Sequence, residues 1–300
     1  MKSLTLACAP GERTRAILDG TVQLRNHRLS ANAIAPEELF RIAFEAPKFD
    51  ISELSFSLYL MHLNRGDCQY AGLPVFPSRV FRHSAIYIRA DSEIRDPAEL
   101  KGKTVGVRNY LNTAALVVRG LFADECGVTA QDIDWIVGDV DDVQRSHIGV
   151  PKLFRPTNIR AVTGISLADM LRSGKIDAIV HHSPPADFGK PAAGIKRLFE
   201  DATLKEQDYY KRTGIFPIMH LIGVHKSVLA HEPGLIADVF NAFSVSADRS
   251  QAGLFPPVHC DGVKDNVAAI ETLVRYAYEQ GLIDRSFAVH ELFPKELLNT

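Results

Sequence analysis

Short apolar runs alternate with amphipathic stretches along the 300 residues of this chain. Residues 3–9 make an apolar run of strand length, and 36–44 carry apolar positions at helical spacing with Glu37 and Glu38 near the start. Residues 49–54 read as a strand that ends in polar residues. A strand at 85–89 follows, then a helical turn over 96–103 closed by Gly102, a strand at 104–108, a helix at 113–125 and a strand at 133–137. The pattern then repeats its logic. Ser166 caps a helix that Gly174 stops, and residues 175–180 form a buried strand running into His181 and His182. A strand at 218–224, a helix at 233–243 and a helix at 265–280 stopped by Gly281 complete the series. Alternating strands and helices predict an α/β protein. No repeat, low-complexity tract or Pro/Gly/Ser linker interrupts them, so two lobes would be joined by ordered strands.

Composition narrows the partners. With 46% hydrophobic and 23% charged residues the chain is ordinary globular material, long enough for two lobes of roughly 100–200 residues each. A formal net charge of −2 and a pI near 6.6 provide no field that would gather nucleic acid or an anionic membrane. No run of about 18 apolar residues predicts a membrane span. Charge arrives at Glu12 and Arg13, before the apolar core of a secretion signal could form, so a cytoplasmic location is expected. Cys8, Cys68, Cys126 and Cys260 are scattered, lack C-x-x-C spacing and are expected to be free thiols.

Candidate chemistry concentrates where Pro-Val-Phe-Pro-Ser-Arg-Val-Phe-Arg-His spans residues 74–83. Arg79, Arg82 and His83 lie within five residues, just ahead of an apolar strand. A guanidinium forks onto a carboxylate or phosphate, and an imidazole can carry a proton near neutral pH. A small anion is the ligand these groups suit; a solvated basic loop is the other reading. Arg108 and Arg119 are further candidate anchors, although the mid-helix position of Arg119 favours a surface or interlobe salt bridge over a ligand contact.

The phrases Asp-x-Ala-Glu-Leu-Lys-Gly-Lys-x-Val-Gly-Val (residues 96–107) and Met-Leu-x-Ser-Gly-Lys-Ile-Asp-Ala (170–178) resemble the type II periplasmic-binding-protein fold. That likeness implies an α/β chain of two lobes with a hinge and an interlobe cleft. Lobe I would take residues 1–83 and 221–300, lobe II residues 84–220, and the strands at 84–89 and 218–224 would cross between them. Three longer strings, 49–57, 74–84 and 209–220, resemble the 4,5-dihydroxyphthalate decarboxylase family, as do Tyr110, Thr113, Ala114, Arg119 and the Tyr-Ala-Tyr-Glu-Gln-Gly-Leu ending at Leu282. Two segments depart from that pattern: the His pair opening residues 181–188, and residues 255–262.

Family membership implies decarboxylation of a hydroxylated aromatic di-acid, as in phthalate degradation. Such a reaction needs a proton donor at the ring carbon that bears the carboxylate, an acceptor on the phenol and cationic anchors for a second carboxylate. His83 and His220 are the candidate acids. Glu53 could accept the phenol proton, orient a His or simply brace Arg79. Arg79, Arg82, Ser55, Arg108, Tyr110, Thr113, His181 and His182 are the candidate substrate-binding residues. His220 also suits a core position, and Tyr209 and Tyr210 suit packing. No cofactor and no protein-held metal are expected: His181, His182, His220, His259 and Cys260 show no ligand spacing, although a catechol-type substrate could itself bring a divalent metal. A small aromatic carboxylate is the expected partner, with no nucleic acid and no membrane; a homo-oligomer is compatible with the sequence. The alternatives are a solute-binding protein of the same fold without chemistry, and a biosynthetic enzyme of that fold acting on another precursor.

Overall fold

The computed structural model describes residues 2–143, 149–190, 194–232, 234–248 and 261–300. Its elements run, in chain order, β1 (Lys2–Cys8), α1 (Glu12–Leu18), β2 (His27–Ala33), α2 (Pro36–Glu45), β3 (Ile51–Ser55), α3 (Phe56–Arg65), β4 (Tyr70–Leu73), β5 (Ile86–Arg89), β6 (Thr104–Val107) and α4 (Thr113–Cys126). They continue with β7 (Asp134–Val137), β8 (Ile159–Ala161), α5 (Leu167–Arg172), β9 (Ala178–Val180), β10 (Ile195–Arg197), α6 (Ala202–Thr213), β11 (His220–His225), α7 (Lys226–Leu229), α8 (Leu235–Asp248), α9 (Val267–Glu279) and α10 (Val289–Leu292).

The chain divides into two compact units: Met1–Val80 with Ile215–Val274 and Arg285–Thr300, and Phe81–Gly214 with Arg275–Asp284. It leaves one for the other at Val80/Phe81 and at Gly214/Ile215, ahead of the two strands that the resemblance would make crossings. β5 and β11 each lie inside a single sheet. Arg275–Asp284, which the sequence reading places with the first lobe, is counted with the second unit.

The first unit's sheet has the order β2-β1-β3-β11-β4. β1 pairs in parallel with β2 and β3, while β11 runs antiparallel between β3 and β4. Leu4, Leu6, Ile51, Leu73, Ile222 and Val224 supply the sheet side of a core closed by Leu235, Val239 and Phe243 of α8. β2 escapes sequence reading because it is an edge strand, paired with β1 alone, and its HRLSANA pattern leaves most side chains partly or fully exposed.

The second unit's sheet has the order β10-β5-β9-β6-β7-β8. β9, β6, β7 and β8 are parallel and β5 runs against them. Parallel strands read as unbroken apolar runs because both faces are covered; Val105, Ile136, Val137, Ile179 and Val180 are all buried. Asn112 caps α4 by accepting from the Ala115 N–H at 2.7 Å, and Gly127, at φ +66°, ends it in the left-handed region. Ser166 caps α5 in the same way. The strand expected over 175–180 is confined to Ala178–Val180, since Gly174 at φ +70° turns the chain just before it. The departing segment at 255–262 lies outside the described residues up to Cys260, as does the His259–Cys260 part of the metal reading.

Candidate active site

In the first unit every residue of β3, Ile-Ser-Glu-Leu-Ser, is buried. Side chains alternate along a strand, so Ile51, Glu53 and Ser55 share one face. The antiparallel register sets Ile222 opposite Glu53 and His220 opposite Ser55. Glu53 and His220 are therefore diagonal neighbours on that face. The apolar end of the face, with Ile51, Ile222 and Val224, joins the core; its polar end lies where β3 stops and β11 starts.

His220 Nδ1 is 2.6 Å from Glu53 Oε1, with Glu53 2% and His220 17% exposed at the side chain. The other carboxylate oxygen of Glu53 accepts the Ala9 N–H at 2.8 Å, from the chain leaving β1. A carboxylate only accepts, so Nδ1–H is the donor and Nε2 is the ring nitrogen left for exchange. Phe40 of α2 stands edge-on to the imidazole, 4.7 Å between centroids. The Ser55 and Ser57 hydroxyls lie 3.2 Å apart at the start of α3. Arg79 belongs to this unit through a bridge to Ile218. Its guanidinium donates to Asn266 Oδ1 at 2.6 Å and Phe216 O at 2.7 Å and lies 5.1 Å from the centroid of the Phe216 ring. Arg79 thus braces a turn, and it is Glu53's bond to His220, not to Arg79, that the structure contains.

In the second unit the carboxyl ends of the parallel strands collect the other candidates. The register pairs Val107 with Val180 and with Val137, so Arg108, His181 and Gly138 follow at one end of the sheet. The His181 N–H donates to Ala85 O at 3.0 Å, bringing the start of β5, with Arg82 and His83 just before it, to the same end. The crevice beyond strand carboxyl ends is the usual ligand site of open α/β sheets. Burial holds His181 below the usual imidazole range, and the charges of Arg108 and Arg82 push it the same way. Its Nδ1 lies 2.8 Å from Ser183 O, its Nε2 is buried without a partner, and the His182 ring is 4.2 Å away. Arg108 Nε is 3.4 Å from the buried Asp139 carboxylate. Burial lowers Arg82 to about 10, with Glu206 opposing, which leaves its charge intact at neutral pH. Thr113 opens α4 and is buried.

His83 is enclosed more tightly than His220. It is 6% exposed, with the Phe199 ring 5.9 Å and the Tyr209 ring 5.5 Å from its own, and burial pulls its imidazole down to about 4. It is neutral at pH 7. Tyr110 is also buried, its ring 3.6 Å from the Arg119 guanidinium. Sequence reading missed Asp139 and Phe40; the first could have been noticed as a carboxylate two residues beyond an apolar strand. A groove of about 470 Å³ on this unit is lined by Arg95, Lys196, Leu198, Phe199, Leu204 and Lys205, and none of the candidates lines it. Among the described residues no group of three or more His, Cys, Asp or Glu side chains is placed to hold a metal ion.

No family model matches the chain. A 4,5-dihydroxyphthalate decarboxylase of Comamonas testosteroni is 37% identical over 251 residues, covering 82% of this chain and 76% of its own length. A second 4,5-dihydroxyphthalate decarboxylase, from Pseudomonas putida, is 36% identical over 216 residues, covering 70% and 83%. This chain belongs to the 4,5-dihydroxyphthalate decarboxylase family. Among solved structures, the periplasmic aliphatic sulphonate binding protein SsuA from Escherichia coli superposes with a TM-score of 0.59 at 14% identity, covering 98% of this chain and 92% of that one. The desulfurization enzyme DszB gives 0.52 at 14% identity, covering 100% and 98%. These two likenesses establish the binding-protein-like α/β fold for a decarboxylase-family chain and carry no function with them.

Proposed function

We propose that this decarboxylase-family chain removes CO2 from a hydroxylated aromatic di-acid such as the 4,5-dihydroxyphthalate for which its relatives are named, with His220 as the proton donor. The observation that carries this reading is the Glu53–His220 pair, a buried carboxylate 2.6 Å from a partly exposed imidazole, each residue lying in a string that resembles the family. Glu53 holds Nδ1–H, fixing the ring's tautomer and aim. The acting form is the imidazolium, which keeps Nδ1–H on Glu53 and delivers the proton of Nε2 to the ring carbon bearing the carboxylate. The phenolic oxygen feeds electron density into the ring as that C–H bond forms. The C–CO2 bond breaks next, its electron pair restores aromaticity, and CO2 leaves. One proton is consumed per turnover, and Nε2 reloads from solvent.

Within the second unit, Arg82, Arg108 and Thr113 are the groups whose charge and hydrogen bonding suit a carboxylate. His83, buried and neutral, is a packing residue in this reading, and Arg79 a brace. Replacing His220 by Gln removes the donor while keeping the polar volume. The rate of CO2 release should fall about 10²–10⁴-fold, the usual range for general acid–base catalysis, with KM changed far less. Near-normal turnover in His220→Gln would remove His220 from the mechanism. A solute-binding role without chemistry would instead give tight binding of the di-acid and no CO2 from the wild-type chain.

A further inference from the structure

Arg119 is a charge in an unexpected place. It sits in the middle of α4, 1% exposed, and a helical side chain points back toward the helix N-terminus. That direction brings its guanidinium to the loop between β6 and α4. Nη2 donates to Tyr110 O at 2.8 Å and Nε to Gln280 Oε1 at 2.6 Å. The cation lies 3.6 Å from the Tyr110 ring centroid and 5.6 Å from that of Trp135. None of these partners is an anion. Nη1 and the Tyr110 hydroxyl are both buried without a hydrogen-bond partner. A buried cation is normally paired, because desolvation is otherwise uncompensated. If holding Tyr110 O and Gln280 were the whole purpose, a neutral donor would do it more cheaply.

The loop that Arg119 grips is the one that carries Arg108 at its start and delivers Thr113 at its end. We infer that Arg119 is a positioning residue for the substrate's carboxylate: a buried positive charge behind the 108–113 loop that fixes the loop's backbone and gives it its preference for anionic rings. The charge has the same sign as the N-terminal end of the fourteen-residue α4 and adds to it. Enclosed by protein, it is screened by salt less than a surface charge would be. The inference rests on the decarboxylase reading above.

Trp135 is the single tryptophan of the chain, so its emission reports on this cluster. The test titrates wild type, Arg119→Met and Arg119→Lys with phthalate, a dianion, and with catechol, the neutral ring, alongside turnover of 4,5-dihydroxyphthalate. Arg119→Met should weaken phthalate roughly tenfold or more, as expected of one charge acting at short range in a medium of intermediate dielectric, and leave catechol within about twofold. KM should rise more than kcat falls. Arg119→Lys, which keeps the charge, should retain most of the phthalate preference. Equal weakening of both ligands, or of neither, in Arg119→Met overturns the inference. Should the Met variant be unfolded by its Trp135 emission, the Lys variant decides: a collapsed phthalate-to-catechol ratio there overturns it, and a preserved one supports it. A wild type that binds phthalate and turns over the substrate, with an unchanged ratio in Arg119→Met, sinks this inference alone. A wild type that does neither sinks the decarboxylase reading and this inference together.

Discussion

His83 and His220 are the same side chain in two settings, and the settings give them different chemistry. His220 has a carboxylate at Nδ1 and partial exposure; His83 is enclosed by Phe199 and Tyr209. Desolvation lowers His83 from 6.5 to about 4, so the folded state resists its protonation more than the unfolded chain does. Between these values the unfolded chain binds more protons, and stability rises with pH. The fold should therefore be fully supported above about pH 6.5 and lose up to about 3 kcal/mol from this group as pH falls through about 4. Urea midpoints at pH 7 and pH 4.5 measure it. His83→Phe should narrow the gap between the two midpoints, and an unchanged gap would mean that other groups set the acid limit. Both histidines look alike in sequence, one before β5 and one opening β11, because burial is not a property of the residue.

α4 shows how packing overrides local preference. Its sequence, Thr-Ala-Ala-Leu-Val-Val-Arg-Gly-Leu-Phe-Ala-Asp-Glu-Cys, contains a glycine in mid-helix, where Ala would be favoured by about 1 kcal/mol. A Cβ at Gly120 would stand 2.2 Å from the Tyr276 ring. That ring cannot retreat, since it is 1% exposed and its hydroxyl donates to Asp124 Oδ2 at 2.6 Å. Overpacking of this kind costs about 1–3 kcal/mol, so Gly120→Ala should lower stability despite its better helix propensity. Denaturant unfolding checks the sign; a stabilised variant would mean that Tyr276 repacks freely. The helix over 113–125 was legible in the sequence, but the reason for Gly120 lies about 150 residues away.

At the scale of the molecule, neither unit is a continuous segment. β11 fills the place between β3 and β4 in the first unit's sheet, and it enters the chain after the whole 81–214 stretch. A fragment of residues 1–80 lacks the strand that completes its sheet and the α8 face of its core. It should show little cooperative structure by circular dichroism, because an open sheet edge and an uncovered apolar face cannot offset chain entropy. A cooperatively melting 1–80 fragment would overturn this. Adding residues 215–300 in trans should restore strand signal if β11 is what was missing.

From sequence alone came the α/β alternation, the starts and stops set by Ser166, Gly102, Gly174 and Gly281, and the family, because capping, glycine conformation and residue order are local and need no partner. The candidate residues, too, were named from their chemistry: a carboxylate, two histidines and several guanidiniums. Their assignment was not local. The strand register sets Glu53 diagonal to His220, 167 residues apart; parallel pairing gathers Arg108 and His181 at one sheet end; and burial neutralises His83 while leaving Arg119 charged and enclosed. Tertiary structure decided these points because hydrogen-bond geometry and desolvation depend on which distant segments are packed together, and the linear order of side chains does not contain that distance.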